Sequence, residues 1–379
     1  MKTALELLAD LVAIPSINPG EGDLTRPEYG EREVVNYLEH YLRQHGIACE
    51  RQEVLPQREN LLARVEGRDS SRTLLLHSHT DTVNVEHMSI PPFDPVVREG
   101  KLYGRGACDA KGQLAAMLTA LLRVTRGGQP AVNVVFVAGC EEEYRFRGVS
   151  ALVEAGLRAS AAVVGEPTEL DLVIAHKGAA RWWLEVEGVA AHSSAPTQGV
   201  NAIYRLARAV QVIEEYAAQL LSRPAHPLCG PPTIAATIIE GGQQANVVPD
   251  RARLLLDRRT LPGETQEQAE KDLKVVLDAR LDFPYTLEVV LRDYPLETPK
   301  DAPLVRRLAA IVQAVTGREP ALKGVAYGTD ASKLARVGIP SVVFGPGSIL
   351  RAHTAEEYLE LDQLEQAVAV YERLLREGV

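Results

Sequence analysis

Cysteine is scarce: Cys49, Cys108, Cys140 and Cys229 are the four in 379 residues, standing 59, 32 and 89 positions apart. That spacing leaves no C-x-x-C clip for a metal and argues against a disulfide framework, so they read as mostly buried thiols. Cys108 and Cys140 lie beside acids discussed below, where oxidation would disturb function. Long apolar runs are also missing. None reaches the roughly 18 residues of a membrane span, and no transmembrane helix is predicted. There is no basic block: 41 Lys and Arg are interspersed with 51 Asp and Glu for a net charge of -10, which argues against capture of nucleic acid or an anionic membrane. A small-molecule partner is expected instead. The first residues, "MKTALELLADLVAIPS", hold acids inside an amphipathic helical pattern, unlike the uncharged core of a signal peptide, so a cytoplasmic protein is expected. Repeats and low-complexity segments are absent as well.

What is present is the composition of a globular protein, 46% hydrophobic and 24% charged, in a chain long enough for two domains. From residue 60 to about 177, short apolar runs ("NLLARVEG", "TLLLHSH", "AVNVVFVAG", "AAVVGEP") alternate with helical patterns ("KGQLAAMLTALLRVTRGG", "GVSALVEAGL"). That alternation predicts an α/β domain with a mostly parallel sheet, whose ligands gather at the carboxyl ends of strands. Residues 181 to 294 read instead as β-α-β-β-α-β, the order of a ferredoxin-like α+β layer. Helix, strand and helix return after it. The first domain is therefore expected to be discontinuous, residues 1–178 and 295–379, with residues 179–294 inserted.

Strands of the first domain end in side chains that can bind metal. "LLLHSHTD" ends with His77, His79 and Asp81, which share a face if the strand continues that far. "VVFVAGCEEE" runs into Glu141, Glu142 and Glu143, "AAVVGEP" ends at Glu166, and "FGPGSILRAHT" puts His353 past the last strand. Each has an ordinary alternative: a solvated acidic loop for the triplet, a core histidine for His79, a helix cap for Asp109. Like charges crowded at one rim resist ionising together unless a cation joins them, and a carboxylate near a ligating imidazole fixes its tautomer. In "YGRGACDAKG" an acid replaces the third glycine of a dinucleotide loop, a poor neighbour for pyrophosphate.

"HTDTV", "GRGACDAKG", "CEEEYRFRG", "VVGEPT", "AHKG", "GVAAHSSAPTQGVNAI", "GGQQANVVPD", "DRRTLPG", "YGTDAS" and "GPGSILRAHTAEEY", in this order along nearly the whole chain, resemble the di-zinc aminoacylase and carboxypeptidase family. That family includes acetylornithine deacetylase, succinyl-diaminopimelate desuccinylase and glutamate carboxypeptidase. The resemblance implies a zinc-peptidase-like catalytic domain with an inserted lid and dimerisation domain. It implies two zinc ions, with cobalt able to substitute, one held by His79, Asp109 and Glu166 and the other by Asp109, Glu143 and His353. Asp109 would bridge them, with a cis peptide after it. Glu142 would be the general base and Asp81 would orient His79. Glu141 stands where the family commonly has Asp, and His77 receives no role.

The same resemblance implies that His192 reaches a neighbouring active site across a homodimer and stabilises the oxyanion, and that Asn246 and Arg259 grip the substrate carboxylate. Read alone, His192 is an ordinary surface histidine, and Arg258 and Arg259, on opposite sheet faces, are solvent-facing charges. The expected activity is hydrolysis of an N-acyl amino acid with a free carboxylate, acetylornithine deacetylase-like, ahead of a di- or carboxypeptidase and of diaminopimelate desuccinylation. A non-catalytic metal-binding scaffold is the alternative of another class. Its signature would be a lost base or ligand.

Overall fold

The computed structural model describes residues 1–22 and 24–379, which divide into two compact units. The first comprises Met1–Ile174, Thr298–Lys323 and Thr329–Val379, and the second Ala175–Glu297 and Gly324–Gly328.

In the first unit, strands run side by side in the order Cys49–Leu55, Arg58–Val65, Val132–Gly139, Asp69–His79, Ala161–Val164 and Ser341–Val343. The last four of these are mutually parallel, and the first two pair antiparallel. The sheet is thus mixed at its flank. "NLLARVEG" does not enter a β-α-β crossover; it closes a hairpin through Pro56 and Gln57, with Gln57 at φ 67°. A two-residue connection can join only antiparallel neighbours. Among the parallel strands, consecutive apolar residues such as Leu74–Leu76 and Val134–Ala138 are all buried, as expected where both faces are covered.

Helices Ala4–Ala13, Lys111–Gly127 and Leu361–Glu377 join the same core. The first starts with a reciprocal Thr3–Glu6 cap, which satisfies two of the orphan amides at its N-terminus. Lys111–Gly127 buries 13 of its 17 residues, so it is covered nearly all round and is fixed in the core. Its N-cap is Ala110 with no side-chain cap bond. Asp109 is therefore not spent on capping.

The second unit has a four-stranded antiparallel sheet, order Thr233–Gly241, Arg251–Thr260, Gly178–Glu187, Tyr285–Asp293. With helices Ala202–Leu221 and Gln266–Arg280, this is the ferredoxin-like arrangement. Trp182, Leu184, Leu254 and Leu256 from the strands pack with Leu206, Ile213, Tyr216 and Leu273 from the helices. After the exposed Arg251, strand Arg251–Thr260 alternates strictly between buried and half-buried residues. Arg258 falls on the buried side with no exposure, its guanidinium on Glu264 Oε1 at 2.5 Å. The reading of Arg258 as a solvent-facing charge is overturned, because the helix-covered face carries an acid able to meet it.

Candidate active site

The four parallel strands of the first unit put their carboxyl ends on one edge. His79 closes its strand, the Glu141–Glu143 triplet follows Gly139, and Glu166 follows Val164 by two residues. Asp109 arrives just ahead of the buried helix that starts at Lys111, and its peptide to Ala110 is cis, as the resemblance leads one to expect. His353, at φ 61°, comes from the loop after Ser341–Val343.

Asp109 is the centre of the cluster. Its Oδ1 lies 2.9 Å from His79 Nε2 and its Oδ2 lies 3.3 Å from His353 Nε2. His353 Nε2 is also 3.1 Å from Glu143 Oε1, and His79 Nε2 is 3.9 Å from Glu166 Oε2. One carboxylate thus offers an oxygen to each of two imidazole–carboxylate pairs. Two groups of ligand atoms lie within 4.8 Å of one another, His79 with Asp109 and Glu143, and His79 with Glu142 and Glu166. These groupings differ from the sets implied by the resemblance. They bring Glu142 in and leave His353 out, although its ring nitrogen is within hydrogen-bond distance of two of the carboxylates. The short His353 contacts decide for including it, since a group touching two members belongs to the cluster.

The electrostatics carry the sign of a cation site. Burial, followed by the charge of Glu166, pushes the Glu142 carboxyl well above its usual range, and burial together with Asp109 does the same for Glu166. Burial opposes protonation of His353, but its hydrogen bonds to Asp109 and Glu143 outweigh that and push it up to about 10. His79 is likewise raised, against burial, by Asp109 and Asp81. Burial would raise Asp109, yet the two imidazoles hold it well below the ordinary carboxylate range. Protons stand here where metal ions would remove the need for them. Imidazole and carboxylate oxygen are the donors that zinc-type ions take.

Asp81 sits otherwise than a simple His79 partner. His79 Nδ1 is 2.9 Å from the Asp81 carbonyl and 3.5 Å from its carboxylate. That carboxylate accepts the amides of Glu142 and Glu143, each at 3.1 Å, and the Asn18 side-chain amide at 2.7 Å. Glu357, in "AHTAEEY", has no role that the sequence motifs assign. It is fully buried, accepts the amides of Cys108 and Asp109 at 2.9 and 3.0 Å, and is itself held by Arg105 at 2.6 Å. Its contacts span about 250 positions of chain, which no local pattern announces.

His192, Asn246 and Arg259 lie in the second unit. His192 is exposed, its Nδ1 2.7 Å from Ser194 Oγ. The Asn246 carbonyl accepts from Ser193 N at 2.9 Å. Arg259 forks onto Asp257, which also accepts from Arg181 at 2.6 Å.

Residues 75–377 match the model of peptidase family M20/M25/M40. The chain belongs to this family. It is 34% identical over 352 residues to acetylornithine deacetylase of Myxococcus xanthus, covering 90% of each chain, and 27% identical over 402 residues to a probable succinyl-diaminopimelate desuccinylase of Staphylococcus aureus, covering 98% of this chain and 96% of that one. Among solved structures, an M20 family metallo-carboxypeptidase from Sulfolobus solfataricus aligns with a TM-score of 0.80 at 21% identity over 99% of both chains, a likeness of fold. The protein is a metallohydrolase acting on amide bonds, and the cluster around Asp109 is its candidate metal site. The scaffold alternative loses its footing, because the family and the relatives of this chain are hydrolases. No helix among the described residues is long and apolar enough to cross a membrane.

Proposed function

We propose that the protein removes the acyl group from an N-acyl amino acid with a free carboxylate, with N-acetylornithine the first candidate and two zinc ions as its metal. One ion would be held by His79, Asp109 and Glu166, the other by Asp109, Glu143 and His353. The observation that carries this is the division of Asp109, one oxygen toward each histidine, with Glu142 alongside as a carboxyl of raised proton affinity.

Bound metal ions supply Lewis-acid polarisation of the scissile carbonyl and make the attacking water more acidic. Glu142 takes the water's proton and returns it to the leaving amine, a role for which a carboxyl tuned upward is suited. Asp81 holds the amides of Glu142 and Glu143 and so fixes where both carboxylates start. His192 stabilises the oxyanion from the neighbouring subunit, and Asn246 and Arg259 grip the substrate carboxylate, Arg259 exchanging Asp257 for it in a bidentate fork.

A homodimer through the second unit fits the exposed Ile238 and Ile239, on edge strand Thr233–Gly241, and Ile203 and Tyr204 on the helix whose Ile203 lies against Gly241, Tyr204 being 71% exposed. A cytoplasmic location fits a small amino-acid-like substrate. A di- or carboxypeptidase or a desuccinylase would use the same machinery on another acyl group, as the names of its relatives suggest. Hydrolysis of a panel of N-acetyl amino acids, N-succinyl-diaminopimelate and dipeptides, before and after chelation and zinc readdition, tests the proposal. N-acetylornithine should be the best substrate and chelation should abolish turnover. Metal-independent cleavage, or preference for dipeptides, would overturn it.

A further inference from the structure

The loop that carries Glu142 and Glu143 belongs to no helix or strand, yet four successive amides in it are held by buried side chains from elsewhere. Cys140 N donates to Asn60 Oδ1 at 3.0 Å, Glu141 N to Glu31 Oε1 at 3.1 Å, and Glu142 N and Glu143 N to the two oxygens of Asp81 at 3.1 Å each. A loop on the surface would leave such amides to water. Here the four are fixed at three places: strand Arg58–Val65, the N-cap residue of helix Arg32–Gln44, and Asp81, two residues past strand Asp69–His79.

Glu31 is the member with no ordinary reason to be there. It is fully buried, Arg58 is 3% exposed, and the guanidinium meets it as a fork, Nε to Oε2 at 2.8 Å and Nη2 to Oε1 at 2.5 Å. A buried ion pair is weak evidence for stability, since apolar residues of like volume commonly do as well. What an apolar pair cannot do is accept the Glu141 amide. Glu141 sits at φ 64° and Phe146 at φ 58°, conformations a non-glycine residue adopts only when its surroundings over-determine them. Glu141 O and its carboxylate accept from Phe146 N and Arg147 N at 2.9 and 3.0 Å, closing the loop on itself. The anchor at Glu31 therefore sets the turn that aims the next two side chains.

We infer that the Glu31–Arg58 pair is a positioning device for the catalytic loop, acting through the Glu141 amide on the placement of Glu142. The inference rests on the proposed role of Glu142 as general base. It predicts that an oxygen acceptor at position 31 matters more than its charge. Two double variants separate these: Glu31→Gln with Arg58→Met keeps an acceptor and removes both charges, and Glu31→Leu with Arg58→Met removes the acceptor too. Neither leaves an unpaired buried charge.

The experiment uses the metal-loaded full chain, with metal content and thermal melting measured for each variant, kcat and KM on the best N-acetyl amino acid, and deuterium exchange of the peptide spanning residues 140–147. The Leu/Met pair should lose roughly 10–100-fold in kcat with little change in KM, the range found for residues that orient metal-site groups, and its loop should exchange faster. The Gln/Met pair should stay near wild type in both. Identical turnover and exchange in the two pairs would overturn the inference, as would a loss in the Leu/Met pair fully explained by missing metal or folded protein. If the pairs do not fold, wild-type exchange still decides: slow amides at 140–143 support the anchor, and amides as fast as an open loop refute it. Failure of the wild type to cleave any N-acyl amino acid would count against the proposed function alone, because the exchange comparison needs no substrate.

Discussion

His77 Nε2 and Asp330 Oδ2 lie 2.6 Å apart, both buried and 253 positions apart in the chain. The imidazole fits because Gly139, opposite His79 on the neighbouring strand, has no side chain; a Cβ there would stand 2.6 Å from His77 Cε1. The histidine without a role in the motifs thus ties the strand that ends at His79 to the N-cap of helix Ala331–Arg336.

His77→Leu should leave the buried Asp330 side chain without its imidazole partner, a loss of roughly 1–3 kcal/mol for orphaning a buried hydrogen-bonding group. Adding Asp330→Leu should recover part of that, because the orphaned acid goes with it. Urea unfolding of the two single variants and the double gives the coupling energy. Additive effects would show that the pair contributes nothing as a pair.

Legibility in the sequence followed the range of the signal. That His79, Glu143, Glu166 and His353 meet in one cluster could be read because each is a metal-capable residue at or soon after the end of an apolar strand, a local pattern. The ferredoxin-like unit could be read from element order alone. Glu31 and Glu357 could not, because they accept backbone amides of distant segments, and an amide leaves no residue type to recognise; Arg58 and Arg105 are one step further removed, since they hold those two glutamates. The antiparallel hairpin at the sheet's flank was hidden for a related reason: apolar runs tell a strand but not its direction.

Glu142→Gln should keep its metal and its fold and lose roughly 10²–10⁴-fold in kcat, since an amide cannot accept the water's proton. Asp109→Ala should lose metal as well, because one carboxylate serves both histidine pairs. Metal analysis beside single-turnover kinetics separates the two. Near-normal turnover in the first variant, or two tightly held ions in the second, would refute the assignments.

Lys111 gives a pH signature. It is fully buried, its Nζ donates to Ile14 O at 2.7 Å, and burial pulls its pKa from 10.5 down to about 7, against the opposing charge of Glu357. A base depressed on folding contributes stability that is present above its unfolded value of 10.5 and lost as pH falls toward 7. Lys111→Met removes that dependence and adds only a pH-independent cost for the Ile14 carbonyl. Relative to wild type, the variant should therefore gain about 3 kcal/mol between roughly pH 9.5 and pH 6.5. Urea unfolding at both pH values measures it. A difference that does not change with pH would mean that Lys111 is not held neutral by its surroundings.

The last prediction concerns His192, an exposed residue of the second unit proposed to act at metal ligands whose proposed positions all lie in the first. If it acts across a dimer, His192→Ala should cut turnover while leaving metal content intact, because no ligand is touched. Mixed with Glu142→Gln protein under conditions where subunits exchange, it should recover activity. In such a heterodimer one active site receives an intact Glu142 from its own chain and an intact His192 from the partner, and the other site receives neither. Random exchange at equal amounts makes half of the dimers mixed, so recovery should approach about one quarter of the wild-type rate per chain, since each mixed dimer has one working site of two. Sedimentation should find a dimer at assay concentration. Absence of rescue despite exchange demonstrated by labelled subunits, or full activity from a monomer, would confine His192 to its own chain or remove it from catalysis.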